Sequence, residues 1–158
     1  AFFLHRMVLL GLFAAPVEAW RGEMHHVGVF TGPEDLASVP ASDRVWISSA
    51  ERTGKDDILE NTGIWSLVER NGIWIAVKMP IDGPDDFHPH GISAIESEGN
   101  IYLFAVNHRK DGTHSIEKFI VEGDYLWHQI TYTDTLLRAP DDIVAVSANE
   151  LYVSNEGN

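Results

Sequence analysis

Gly91-Ile92-Ser93-Ala94-Ile95, a polar turn, then Ile101-Tyr102-Leu103 is the stretch that decides the fold. The same phrase stands earlier as Asp35-Leu36-Ala37-Ser38-Val39 before Val45-Trp46-Ile47. It returns as Asp142-Ile143-Val144-Ala145-Val146 before Leu151-Tyr152-Val153. Each copy is a small-residue strand, a polar turn, and a strand opening on an aliphatic and then an aromatic residue. Leu36, Ile92 and Ile143 hold equivalent places, 56 and 51 residues apart, near the about 40–50-residue period of propeller blades.

Between the first two copies lies a hairpin, Ile64 to Arg70 turning at Asn71-Gly72 and returning through Ile73-Trp74-Ile75. Its counterpart runs from Ile116 to Glu122, turns at Gly123-Asp124 and returns through Tyr125-Leu126-Trp127. Two inner strands plus an outer hairpin make one four-stranded blade. The strand set is Val45–Ser49, Ile64–Val68, Trp74–Val77, Ile101–Val106, Ile116–Val121, Tyr125–Thr131 and Leu151–Ser154, rich in β-branched and aromatic residues between Gly, Pro, Asn and Asp. The expected class is therefore all-β: about three blades of a β-propeller over residues 25–158. A β-sandwich or a solenoid is the alternative. Propellers close with about four to eight blades, so the stretch reads as the front part of a longer one, with an open edge available for self-association.

With 44% apolar and 10% aromatic residues the chain has the composition of a folded protein. Its 24 acidic residues against 11 basic give a formal charge of −13. That balance argues against nucleic acid and anionic membrane surfaces, and suits a cation. The absence of cysteine excludes a disulfide framework, a thiolate zinc site and a cysteine nucleophile. Residues 1–24 open with an apolar run broken by His5 and Arg6, short of the roughly 20 apolar residues a bilayer span needs. They are expected to form a short N-terminal helix that packs on the domain, or else a signal or membrane-anchoring segment. The second reading favours a secreted, periplasmic or membrane-associated setting and allows lipid contact.

The loops before the innermost strands carry the chemistry. Glu34-Asp35, His90-Gly91 and Asp141-Asp142 precede the three inner strands, so three blades aim carboxylates and a histidine at one axis. Such carboxylates repel unless a hard cation with oxygen ligands joins them, calcium before magnesium in a flexible loop-built site. The alternative is that these acids cap turns. His90, in His88-Pro89-His90, and His108, in Asn107-His108, fall on neighbouring strands of one blade and could work as base and relay. His25, His26, His114 and His128 lack such a context and read as structural or exposed. Asp82-Gly83-Pro84-Asp85-Asp86 reads as a solvated turn. Trp46, Trp65, Trp74, Trp127 and Tyr102 read as blade packing. No phosphate loop, G-x-S-x-G elbow or H-E-x-x-H is present.

Phe87-His88-Pro89-His90-Gly91-Ile92-Ser93, then Val106-Asn107-His108, then Asp141-Asp142-Ile143-Val144-Ala145-Val146 resemble the paraoxonase/arylesterase family, with Glu34-Asp35-Leu36 matching its first acidic pair. The resemblance runs from about residue 26 to the end. It implies the N-terminal half of a six-bladed propeller with two calcium ions in its tunnel, hydrolysing lactones and aryl esters. Glu34 and Asp141 would hold the catalytic calcium. Asp35, Asp142 and the Ile92 carbonyl would hold a deeper structural one. His90 would activate water, with His108 as its relay. Asp141 replaces the family's usual Asn, and Asn155-Glu156 stands where Asn-Asp is typical. The remaining calcium ligands of the family lie in blades beyond residue 158. The competing expectation is a truncated, catalytically incomplete propeller that serves as a calcium-binding or structural module.

Overall fold

The computed structural model describes residues 25–40, 42–51 and 61–156. The N-terminal helix expected over residues 1–24 lies outside these. Ten strands form three antiparallel sheets in chain order. Sheet one holds β1 (Pro33–Ser38), β2 (Arg44–Ser49), β3 (Gly63–Arg70) and β4 (Ile73–Lys78). Sheet two holds β5 (Pro89–Ser97), β6 (Asn100–His108), β7 (His114–Glu122) and β8 (Tyr125–Tyr132). Sheet three pairs β9 (Pro140–Ser147) with β10 (Glu150–Asn155). Each sheet is finished before the next begins, which is the arrangement of a propeller fragment. The described residues thus hold two four-stranded sheets and a two-stranded one, where the repeat count suggested about three blades.

Turn chemistry sets the registers. Asn71 (φ 54°) and Gly72 (φ 78°) close the β3–β4 hairpin directly beneath the Arg70–Ile73 pair. Two consecutive positive φ values make a primed turn, whose twist matches the flanking strands and which favours Asn-Gly. Glu98 (φ 53°) and Gly99 (φ 78°) do the same beneath Ser97–Asn100, with a glutamate in a conformation that side chains rarely adopt.

The two central strands of sheet two, β6 and β7, are buried on both faces. Leu103, Ala105 and Phe119 join Trp46, Ile64, Met79 and Phe87 in the core cluster that links it to sheet one. Phe104, Val106 and Ile116 pack with Ile143 toward sheet three. A strand covered on both sides needs a continuous apolar run, which is why Tyr102 to Val106 contains no polar residue. Sheet one's outer side carries the 25–32 segment: Phe30 meets Trp65 edge-on at 5.3 Å, and Ser49 Oγ donates to the Thr31 carbonyl at 2.8 Å. At the opposite end Val144, Val146 and Tyr152 of sheet three are exposed.

Candidate metal and histidine centre

Three sheets meet at their inner strands. Ile92 N of β5 donates to Asp35 Oδ2 of β1 at 2.7 Å, and Ala145 N of β9 donates to Ser93 Oγ of β5 at 3.0 Å. Gly91 lets β5 approach β9 this closely. A Cβ there would lie 2.5 Å from the Asp141 carbonyl oxygen and 2.6 Å from Asp142 Cα. Both are backbone atoms and cannot step aside, so the glycine of His90-Gly91 is a packing requirement.

That approach seats the His90 ring between two carboxylates. His90 Nε2 is 2.9 Å from Glu34 Oε1. His90 Nδ1 is 3.0 Å from the Asp141 carbonyl oxygen and 3.6 Å from Asp141 Oδ1. One ligand atom each from Glu34, His90 and Asp141 falls within 4.8 Å of the others. The His90 side chain is 14% exposed, Glu34 21% and Asp141 40%, so the cluster is shielded yet open to solvent. Every atom facing the His90 nitrogens is an acceptor. A neutral imidazole carries one N–H and so satisfies one of these acceptors at a time. Around the His90 ring, the facing acceptors outnumber its single proton.

His108 stacks on His90, with centroids 4.5 Å apart and planes 23° from parallel. Its Nε2 sits 2.6 Å from the Pro140 carbonyl oxygen. The two histidines that the sequence placed on neighbouring strands therefore do meet, but through ring faces. The groups within hydrogen-bonding reach of the His90 nitrogens are Glu34 and Asp141.

Asp35 and Asp142 repeat one local pattern. Asp35 Oδ1 accepts from Leu36 N and Asp142 Oδ1 from Ile143 N, both at 2.7 Å. Asp35 N donates to Ser48 Oγ, and Asp142 N to Ser154 Oγ. Each acid thus bonds the next amide of its own strand, while its amide bonds a serine of the paired strand. Together with Ile92 they line an open cavity of about 370 Å³ between the inner strands. It is the Ile92 amide, opposite in sense to the carbonyl expected as a ligand, that engages Asp35.

A second carboxylate–imidazole group escaped sequence reasoning. Glu117 is fully buried in β7. It accepts hydrogen bonds from Ser115 Oγ, Asn107 Nδ2 and Thr131 Oγ1, with His128 Nε2 at 2.9 Å and the Arg109 guanidinium at 3.5 Å. Burial pushes its pKa up, but the hydrogen bonds from Ser115, Thr131, Asn107 and His128 outweigh it and hold the carboxyl below its ordinary value. Asn107 then clamps the chain leading to His90: its Oδ1 accepts from His88 N, and its Nδ2 also donates to the Asp86 carbonyl. His128, read as structural or exposed, belongs to this network. The only signal was the period-two spacing of Ser115 and Glu117, which puts both on one face of a strand.

His114 is a second unforeseen group. It lies opposite His108 across β6 and β7, with ring centroids 4.7 Å apart. Burial, then the nearby His108, lowers its pKa. The Asp82–Asp86 loop carries exposed acids and also bonds sheet two. Asp82 Oδ1 accepts from His128 N and Asp86 Oδ2 from Lys110 N, so its outer carboxylates tie the loop to sheet two.

Residues 71–157, more than half of the chain, match the arylesterase family model. The chain belongs to the arylesterase family. Among relatives of this arylesterase-family chain, serum paraoxonase/arylesterase 2 of Bos taurus is 42% identical over 72 residues, 44% of the chain and 20% of the relative. Serum paraoxonase/arylesterase 1 of Mus musculus is 40% identical over 73 residues, again 44% and 20%. Serum paraoxonase/lactonase 3 of Rattus norvegicus is 35% identical over 74 residues, 46% and 21%. The matched stretch spans about a fifth of the length of these relatives.

Proposed function

We propose that this arylesterase-family chain forms part of a calcium-dependent hydrolase of aryl esters and lactones, built as about three blades of a six-bladed propeller over residues 25–158. The observation that carries the reading is the convergence of Glu34, His90 and Asp141 from three successive sheets onto one acceptor-rich point. The relatives' names, arylesterase and lactonase, support the substrate class. Their name "serum" supports a secreted or membrane-associated setting.

The donor chemistry fits a hard cation, since carboxylate oxygens are what calcium takes. Glu34 and Asp141 would hold one ion, and Asp35, Asp142 and the Ile92 carbonyl a second. When bound, calcium would supply Lewis-acid polarisation of the ester carbonyl and charge for the developing oxyanion. The chain's own residues handle the proton. With Nδ1–H donating to the Asp141 carbonyl, Nε2 of His90 carries the lone pair and serves as general base toward water. Glu34 Oε1, 2.9 Å from that nitrogen, accepts a hydrogen bond from Nε2 once it has gained the proton and so stabilises the imidazolium. His108 backs the ring by stacking; since the rings meet by their faces, its relay role would require water between their nitrogens.

The test is the initial rate on phenyl acetate and an aliphatic lactone, with calcium titrated in and then stripped by chelator. Rates that follow calcium support the reading; equal rates with and without calcium contradict it. A second reading is a calcium-binding module without turnover, favoured by the same carboxylate cluster of Glu34 and Asp141. It predicts calcium uptake with no hydrolysis. The exposed Val144, Val146 and Tyr152 support pairing with further sheet or a second copy, which chromatographic mass would reveal.

A further inference from the structure

His90, His108 and His114 form a row of three imidazoles. The first contact is a near-parallel stack at 4.5 Å, the second a tilted one at 4.7 Å. His108 is thereby held between two rings, with its Nε2 against the Pro140 carbonyl. The β6–β7 register places His114 directly opposite His108, at the mouth of the Arg109–Thr113 turn. His114 is partly buried between β6 and the Arg138 segment, and its Nδ1 is buried without a hydrogen-bond partner. Asn155 Oδ1 accepts from Arg138 N and Ala139 N, which anchors that segment to sheet three.

We propose that His114 is a positioning residue that fixes the ring plane of His108, and through it the face on which His90 rests. The Pro140 contact fixes one edge of the His108 ring, and a ring contacted on both faces as well has less room to change its plane than one stacked on a single face. His114 is suited to this because burial and the neighbouring His108 both favour its neutral form, so it adds no charge beside the pair. It also lines an open cavity of about 620 Å³, with Arg109, Asp111, Thr133 and Arg138 among the other residues around it. Replacing His114 therefore leaves no sealed void in the core.

Only the kinetic arm of the test rests on the hydrolytic reading above. In the 158-residue chain, His114→Ala removes the ring, and His114→Phe keeps a ring without nitrogens. Imidazole NMR signals of His108 and initial rates with calcium are recorded for both, alongside melting temperature. The expected result for His114→Ala is a shifted His108 signal and a kcat about tenfold lower with KM little changed; His114→Phe restores both toward wild type. An unmoved His108 signal in His114→Ala overturns the proposal. So does a parallel loss of stability, kcat and affinity in both variants, which would mark a merely structural ring. If the unsubstituted protein hydrolyses neither substrate, the hydrolytic reading alone falls, and the His108 signal decides the positioning claim.

Discussion

Glu34 and Glu117 each place a carboxylate oxygen 2.9 Å from an imidazole nitrogen, that of His90 and that of His128. The two pairs have the same chemistry and opposite surroundings. Glu117 is fully buried in one sheet and ringed by donors: two hydroxyls, an amide and a guanidinium besides the imidazole. Glu34 comes from a different sheet than His90, and the other atoms that converge on His90 are Asp141 oxygens. A carboxylate whose lone pairs are filled has nothing left to offer a ligand. A site with more acceptors than protons can still take a cation or a proton from water. The balance of donors and acceptors is what separates the proposed binding centre from the structural one.

The sharpest way to break the comparison is to remove each imidazole or carboxylate in turn. His90→Gln should lower ester hydrolysis by about 100-fold or more while leaving the fold and calcium uptake intact; an unaltered rate would remove His90 from the chemistry. Gly91→Ala comes next. The new methyl would meet backbone of Asp141 and Asp142 at about 2.5 Å, so thermal melting should fall by several degrees and the three-sheet junction should open. Melting unchanged from wild type would mean that the inner strands are not held as described.

Chelation should act on the open centre alone. A ligand present at about 100 times its Kd stabilises by about 2.7 kcal/mol, so stripping calcium should lower the melting temperature by some degrees in wild type and in Glu117→Gln alike. Glu117→Gln should show a smaller, pH-dependent loss. Because the folded carboxyl lies below its ordinary 4.5, its stabilisation is present above that value and is lost as pH falls through the lower folded one. The variant and wild type should therefore differ by about 1–3 kcal/mol near neutral pH and converge in acid. A difference independent of pH would show that packing, not charge, is what Glu117 contributes.

Much of this was legible in the sequence, for a definite reason. The strand runs and the Asn71-Gly72 hairpin are written in local pattern, and local pattern fixes strand identity and turn type. His90 and His108 were found because each sits at the end of a strand joined by a short turn. Glu117 with His128, and His108 with His114, were not found, because those contacts depend on register across β6, β7 and β8. A one-residue slip there would send every side chain to the other face.

The account rests most heavily on a cation joining Glu34 and Asp141. Calorimetric titration of calcium into the wild-type chain and into Glu34→Gln tests it directly. Saturable uptake that is lost or strongly weakened in Glu34→Gln is the predicted result. No uptake by the wild-type chain, or equal uptake by both, would contradict it.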